Sequence, residues 1–387
     1  MIVEERPEGP VTAPRRLLVA IAAVLALDAT FYSAVTPLLP TLERQFGLTA
    51  SAAGLLVATY ALGLLAAALP AGWLAARIGC RPAMVLSLIL FAIASAAFGL
   101  GTSATVLDAT RGLQGVAAAV TWAAGFAWLV AVGPRERQGA LLGAAMSAAV
   151  AGSLCGPMLG ALAASGGRGP VFCAIAVGAV ALAVVMRRLP APPRSGDLRL
   201  GPTVRALAAG AGATGGWVVL LAGLMVGGMA VAAPLTLDGL GAGPAGIGMV
   251  FVLAAIGEVA IGPAVGRLVD ARGAGPPIRL TLILMASLLV LLSLAATLTL
   301  TVALLIVVLP LAIALLTPGY ALIGGVAELR GIAPAGLFGA GNLAWAGGEG
   351  LGALAAGWLA SGGRPDLMYL AVGALALLTA VALRTKV

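Results

Sequence analysis

Gly72-Trp73-Leu74-Ala75-Ala76-Arg77-Ile78-Gly79 closes one apolar run, and Gly266-Arg267-Leu268-Val269-Asp270-Ala271-Arg272-Gly273 closes another 194 residues later. At that offset Gly72, Leu74, Gly79 and Pro82 fall on Gly266, Leu268, Gly273 and Pro276. The runs before the two copies match as well: Gly54, Ala61, Gly63 and Ala66 fall on Gly248, Ala255, Gly257 and Ala260. A second pair, Ser165-Gly166-Gly167-Arg168 and Ser361-Gly362-Gly363-Arg364, recurs at an offset of 196. The segments before it share Leu141, Gly143, Gly152 and Gly156 with Leu337, Gly339, Gly348 and Gly352. Two matches at almost one offset predict two similar halves.

Composition sets the solvent. Hydrophobic residues make up 61% of the chain, charged residues 9%, and the mean hydropathy is +1.11. Soluble domains carry roughly 25% charged residues. The chain therefore reads as an all-α membrane protein with the lipid bilayer as its partner. It has no histidine, which excludes imidazole metal ligands and imidazole proton relays. Cys80, Cys155 and Cys173 have no metal spacing; Cys155 and Cys173 read as packing residues and Cys80 as a loop residue. No cofactor, metal or nucleic-acid partner is expected. The formal charge of +8 is better explained by basic residues that anchor cytoplasmic loops.

A span needs about 20 apolar residues. That rule predicts twelve transmembrane helices, in order near 17–39, 50–75, 83–101, 106–131, 139–163, 170–187, 212–235, 246–269, 278–297, 300–325, 337–360 and 367–384. Between the sixth and seventh lies a basic, Pro-rich stretch from Arg187 through Arg205. The expected division is an N-terminal half over 1–187, a linker over 188–211 and a C-terminal half over 212–387. With the N-terminus inside, 18 basic residues fall inside, 3 (Arg44, Arg168, Arg364) fall outside, and Arg111 lies within the membrane. This bias places both termini in the cytoplasm. One lysine against 21 arginines, with abundant Ala and Gly, suggests a GC-rich bacterial genome and so a bacterial cytoplasmic membrane.

Polar groups inside a bilayer are costly and mark pathways by default. Asp28 lies 12 residues past Arg16, about 18 Å deep at helical rise. Glu258 and Glu349 also sit near mid-depth. Arg111 falls in the outer third of helix 4, with Asp108 three residues before it as an expected ion-pair partner. Helical spacing groups the rest. Asp28 and Tyr32 share a face, as do Arg111, Gly115, Ala118 and Trp122. Asn342, Trp345 and Glu349 share another. Such stripes suit a cavity for an apolar body with a cationic group. Trp122 reads equally well as a packing residue. Gly152, Gly156 and Gly160 on helix 5, and Gly348, Gly352 and Ala356 on helix 11, allow close backbone approach, and Pro157 removes one helical hydrogen bond.

The whole chain resembles the major facilitator superfamily, and more narrowly its twelve-helix drug:proton antiporters and vesicular amine transporter-like branch. Gly72-x-x-x-x-Arg77-x-Gly79-x-Arg81 resembles the family's motif between helices 2 and 3. Arg111-Gly112-Leu113-Gln114-Gly115 resembles the helix 4 motif R-x-x-Q-G. Gly152-x-x-x-Gly156-Pro157-x-x-Gly160 resembles the helix 5 motif of exporters, and Leu27-Asp28-Ala29-Thr30 through Pro40 the helix 1 signature. The loop motif's aspartate is Ala76 here, while the second copy keeps Asp270; this puts the first half's gating contact in doubt. The resemblance implies a monomeric, proton-coupled exporter of small amphipathic or cationic molecules. In it Asp28 receives the cationic or proton-bearing group and Arg111 tunes the proton affinity of a nearby acid. An importer or uniporter is the alternative within transport. A membrane-embedded enzyme is disfavoured, because no nucleophile–base pair or metal cluster is legible, and a sensor because no soluble domain is.

Overall fold

The computed structural model describes residues 12–132, 138–190, 210–329 and 334–383. These residues form twelve long helices. Helices 1 to 6 are Thr12–Ala34, Ala50–Ile78, Cys80–Leu100, Ala104–Val132, Gln138–Gly166 and Arg168–Arg187. Helices 7 to 12 are Gly210–Gly239, Pro244–Arg272, Gly275–Ser293, Leu298–Leu329, Pro334–Ser361 and Asp366–Ala382. No strand occurs among the described residues. Most of the linker, and with it the arginines at 194, 199 and 205, lies outside them, as do Arg135, Arg137, Arg330, Arg384 and Lys386.

Three elements differ from the sequence expectation. Helix 1 stops at Ala34 instead of running to 39; a 3₁₀ turn over Thr36–Leu38 and a short helix over Leu39–Phe46 follow. Pro37 and Pro40 account for the break, since neither can donate to the preceding turn. Cys80 is not a loop residue: it is the buried first residue of helix 3. Cys155 is exposed on helix 5 and does not pack inside.

The repeated glycines end helices alike. Gly79 has φ 97° and Gly273 φ 73°, a region that side chains with a Cβ rarely adopt. Each caps its helix by donating its backbone N–H, Gly79 to Ala75 O at 3.0 Å and Gly273 to Val269 O at 2.8 Å. The other repeated turn keeps its glycines at positive φ, Gly167 and Gly363, but its arginines diverge. Arg168 donates to Phe98 O and Gly101 O at the end of helix 3, whereas Arg364 pairs with Asp366.

Small residues set the packing within each set of six. A Cβ on Gly152, Gly156 or Gly160 would strike the helix 1 backbone at Ala26, Thr30 or Ala34. The Thr30 hydroxyl donates across that seam to Gly152 O at 2.9 Å, and the Ser33 hydroxyl to Ser153 O at 3.1 Å. Helix 11 meets helix 7 in the same way, with Gly348 against Leu220 and Gly352 against Leu224. Without a hydrophobic drive between helices in lipid, such close approach is what holds them. Long apolar side chains point outward, among them Val177 and Val180 on helix 6 and Leu377 and Leu378 on helix 12.

The two sets of helices touch mainly toward the end that bears the helix 1–2 connection. There Gly54 lies against Gly357, Gly248 against Pro157, and Arg44 pairs with Asp238 at 2.7 Å. Helices 2 and 11 stay together as far as Ala61 and Gly350. Further along that face of helix 2, Ala66, Pro70 and Trp73 are exposed. On helix 8 the Cβ positions of Gly262 and Gly266 meet nothing within 4 Å. A cleft therefore opens toward the helix 2–3 turn and closes near the opposite end.

Candidate functional site: a buried charge cluster between the two sets of helices

The roof of the cleft holds the costly residues. Asp28 is 3% exposed, Arg111 1% and Glu349 0%. Asp28 on helix 1 accepts a hydrogen bond from Trp122 Nε1 of helix 4 at 3.0 Å on Oδ2, while Oδ1 has no partner. Trp122 also meets Phe126 edge-on, with centroids 5.5 Å apart. The tryptophan so joins both readings: it packs, and its polar edge serves the acid.

Arg111 does not pair with Asp108. The ion pair expected from their spacing fails because Arg111 turns inward while Asp108 stays at the helix end, partly exposed. The guanidinium donates to Gln114 Oε1. It lies over the Tyr60 ring at 4.9 Å and the Phe31 ring at 5.8 Å. An arginine so placed is held by ring faces and one neutral amide. Its charge acts on Asp28 and on Glu349 across the interface.

Glu349 sits where helix 11 crosses helix 7, against Gly223 and Gly227. Neither carboxylate oxygen completes a hydrogen bond. The Tyr32 hydroxyl from helix 1 and the Trp345 indole from its own helix lie close to it. Tyr32 and Tyr60 stack with centroids 4.9 Å apart. Asp28, Tyr32, Tyr60, Arg111, Gln114, Trp122, Trp345 and Glu349 therefore form one cluster that joins the first six helices to helix 11.

Two predicted residues stand elsewhere. Asn342 accepts from the Tyr320 hydroxyl at 3.4 Å, which ties helix 11 to helix 10. Glu258 is partly exposed on helix 8, with no charged side chain near it among the described residues. In the loop motif Arg77 lies over the Trp73 ring at 4.9 Å, and Arg81 donates to Leu189 O at 3.3 Å. Among the described residues Gly72 and Asp270 show no polar contact across the cleft, and Asp270 is exposed. Sequence reasoning missed Tyr60 and Phe31, and quoted Gln114 only as part of the helix 4 motif without naming it as a site residue. Gln114 was within reach, because it follows Arg111 by three residues on one helix face. Tyr60 had no local signal, since only the fold brings helix 2 under Arg111.

Residues 21–237 match the sequence profile of the Major Facilitator Superfamily, more than half of the chain. The chain belongs to the major facilitator superfamily. Among curated relatives, the multidrug resistance protein Stp of Mycobacterium tuberculosis is 33% identical over 125 residues, 32% of this chain and 23% of that protein. The MFS-type transporter ppzB of Metarhizium rileyi is 32% identical over 117 residues, 29% of this chain and 24% of its own. The matched stretch thus spans about a quarter of each of these relatives. Solved structures are similar over nearly the full length. A bacterial homologue of the human lysosomal transporter Spinster, inward-facing and unoccupied, superposes with TM-score 0.77 at 15% identity, covering 98% of both chains. A D-xylose–proton symporter superposes with TM-score 0.78 at 18% identity, covering 97% of this chain and 98% of its own. At such identities the likeness is one of fold. The twelve-helix superfamily fold accounts for the repeated turns, and the family is one of transporters, not enzymes.

Proposed function

We propose that this multi-pass membrane protein exports small amphipathic or cationic organic molecules in exchange for protons, by alternating access. The halves that rock are residues 1–187 and 212–387, joined by a cytoplasmic linker over 188–211. One observation carries the reading: a fully buried Glu349 with both oxygens unpartnered faces Tyr32 and Arg111 of the other half. An acid kept dry at a moving interface loads a proton where the cleft is open and meets a different environment when the halves rock. Asp28 is the group that receives the cargo's cationic nitrogen, because its Oδ1 has no partner and Tyr32 and Tyr60 of the same cluster are aromatic rings of the kind that suit a cation. Arg111 tunes the proton affinity of the acid near it. Glu258 and Asn342 line the second half's side of the path. The helix 5 stripe with Pro157 forms the sliding seam, as in exporters of this family, and the protein works as a monomer in a bacterial cytoplasmic membrane.

Direction tests this reading against import. In inverted vesicles energised by a proton gradient, a cationic dye such as ethidium should accumulate in the lumen. Accumulation only in right-side-out vesicles would make the protein an importer. Topology is a second expected outcome, since the arginine bias requires the open end of the cleft to face the cytoplasm. A cysteine placed in the linker should react with an impermeant thiol reagent only after the cells are opened. Labelling in intact cells would invert the orientation.

A further inference from the structure

One membrane acid stands outside the central cluster. Among the described residues Glu258, in the middle of helix 8, makes no hydrogen bond and no ion pair. Its place on the helix fixes what it faces. Met249, Leu253 and Ile256 are exposed on the side that lipid covers. Glu258 lies on the opposite side, in line with Phe251, Ala255 and Gly262. Two seams bound that side: Gly248 meets Pro157 of helix 5, and Gly257 meets Pro310 of helix 10. Between them Glu258 faces the cleft, where it is partly exposed. The space beside it is open, since the Cβ positions of Gly262 and Gly266 meet nothing within 4 Å.

The elements packed on helix 8 supply no positive charge at that level. Helix 5 carries no charged residue, and helices 7 and 10 carry only the acids Asp238 and Glu328. Arg267 is exposed on the lipid side of helix 8, and Arg272 and Arg279 flank the turn to helix 9. A carboxylate in a bilayer without a partner is costly and marks a path. Its partner therefore arrives from outside the protein. The seams also give its depth. Gly152 and Gly156 meet helix 1 at Ala26 and Thr30, which bracket Asp28, and Gly248 meets Pro157 and Ala161. From Gly248 to Glu258, helix 8 runs back past the level of Asp28 by about 8 Å at helical rise. Helix 5 packs on both helix 1 and helix 8, so the two acids are also about 10 Å apart sideways. The carboxyl groups are thus roughly 13 Å apart, with Glu258 nearer the open end.

We infer, building on the export reading, that Glu258 is a second cation subsite and that the cleft takes an apolar molecule with a cationic group at each end. One end pairs with Asp28 and the other with Glu258. Between the two levels helix 8 offers only Ala254 and Ala255 on this side, small apolar groups that suit an apolar spacer. A cargo with one cationic group fills the cluster and leaves Glu258 without a partner. A short dication cannot reach both acids. Glu258 is thereby a specificity-determining residue, for the number of charges on the cargo and for their spacing.

Bis-trimethylammonium alkanes, set against alkyltrimethylammonium ions of the same chain length, test this on the purified full chain by calorimetry. In the wild type the second charge should tighten binding about tenfold at a spacer of about ten methylenes. At a spacer of about three methylenes it should add less than about twofold, because the ends do not span the two acids. Glu258→Gln should abolish the gain at every length, and Glu258→Asp, which keeps the charge, should retain it. The gain is a ratio within each variant, so a general loss of affinity cancels. No gain in the wild type, a gain of equal size at every spacer, or a gain that survives Glu258→Gln would overturn the subsite. Export is read separately, with the monocation ethidium in inverted vesicles. Ethidium that accumulates while the gain is absent overturns the subsite alone. Alkyltrimethylammonium ions that fail to bind overturn the export reading together with it.

Discussion

Substrate-driven proton release from proteoliposomes should vanish in Asp28→Asn and in Glu349→Gln. Each amide keeps the volume of its acid and removes the titration, so a loss reports on charge and not on packing. Asp28 Oδ2 would still accept from Trp122 in the amide variant, so the tryptophan stays anchored. Tyr32 and Trp345, which lie close to Glu349, can donate to an amide oxygen as to a carboxylate, so Glu349→Gln should insert and fold like the wild type. Its first-half counterpart, Ser153, cannot carry a proton near neutral pH. Removing a group required for coupling stops the cycle, and a drop of at least about a hundredfold is expected, equivalent to roughly 2.7 kcal/mol on the barrier. Glu258→Gln should only weaken release, because Glu258 stands away from the cluster. Full proton release in both the Asp28 and Glu349 variants would show that the protein is a facilitator or couples to another ion.

The second large effect is expected on helix 5. Gly156→Leu should insert into the membrane yet lose transport. A Cβ at Gly156 would lie 2.6 Å from Thr30 O and 2.9 Å from Ala34 N, and would overlap the Ser33 hydroxyl. The atoms in the way are mostly backbone, so helix 5 must move off helix 1. Overpacking of this kind costs about 1–3 kcal/mol, and the displaced helix no longer slides in register. Pro157→Leu acts on the other side of the same helix, where Pro157 O approaches Gly248 of helix 8. Dye efflux at matched expression should fall about tenfold or more in each, a loss of roughly 1.4 kcal/mol or more. Unchanged efflux in both variants would leave the stripe with no role in the cycle.

The fold was legible because its signals are local or periodic. Composition set the membrane, the repeated Gly79 and Gly273 marked equivalent helix ends, and the four-residue glycine spacing of helices 5 and 11 foretold close helix seams, whose partners, helices 1 and 7, only the structure names. Half of the site was legible for the same reason. Asp28, Tyr32, Arg111, Trp122, Trp345 and Glu349 were found by their cost in a bilayer or their helical spacing, and the structure brings these six together. What the sequence hid was pairing across helices. Asp108 is the nearest acid to Arg111 along the chain, yet Arg111 rotates inward to the ring faces of Tyr60 and Phe31. Asn342 shares a helix face with Glu349 but is claimed by Tyr320 of helix 10. Helical spacing tells which residues share a face, and only tertiary packing tells what that face meets.

Coupling itself is tested most directly by reconstituting the wild-type chain alone and imposing a proton gradient across the liposome membrane, acid inside. External ethidium should enter the lumen and rise above its outside concentration, and a protonophore should release it. Ethidium that only equilibrates, at the same rate with and without the gradient, would contradict proton-coupled antiport.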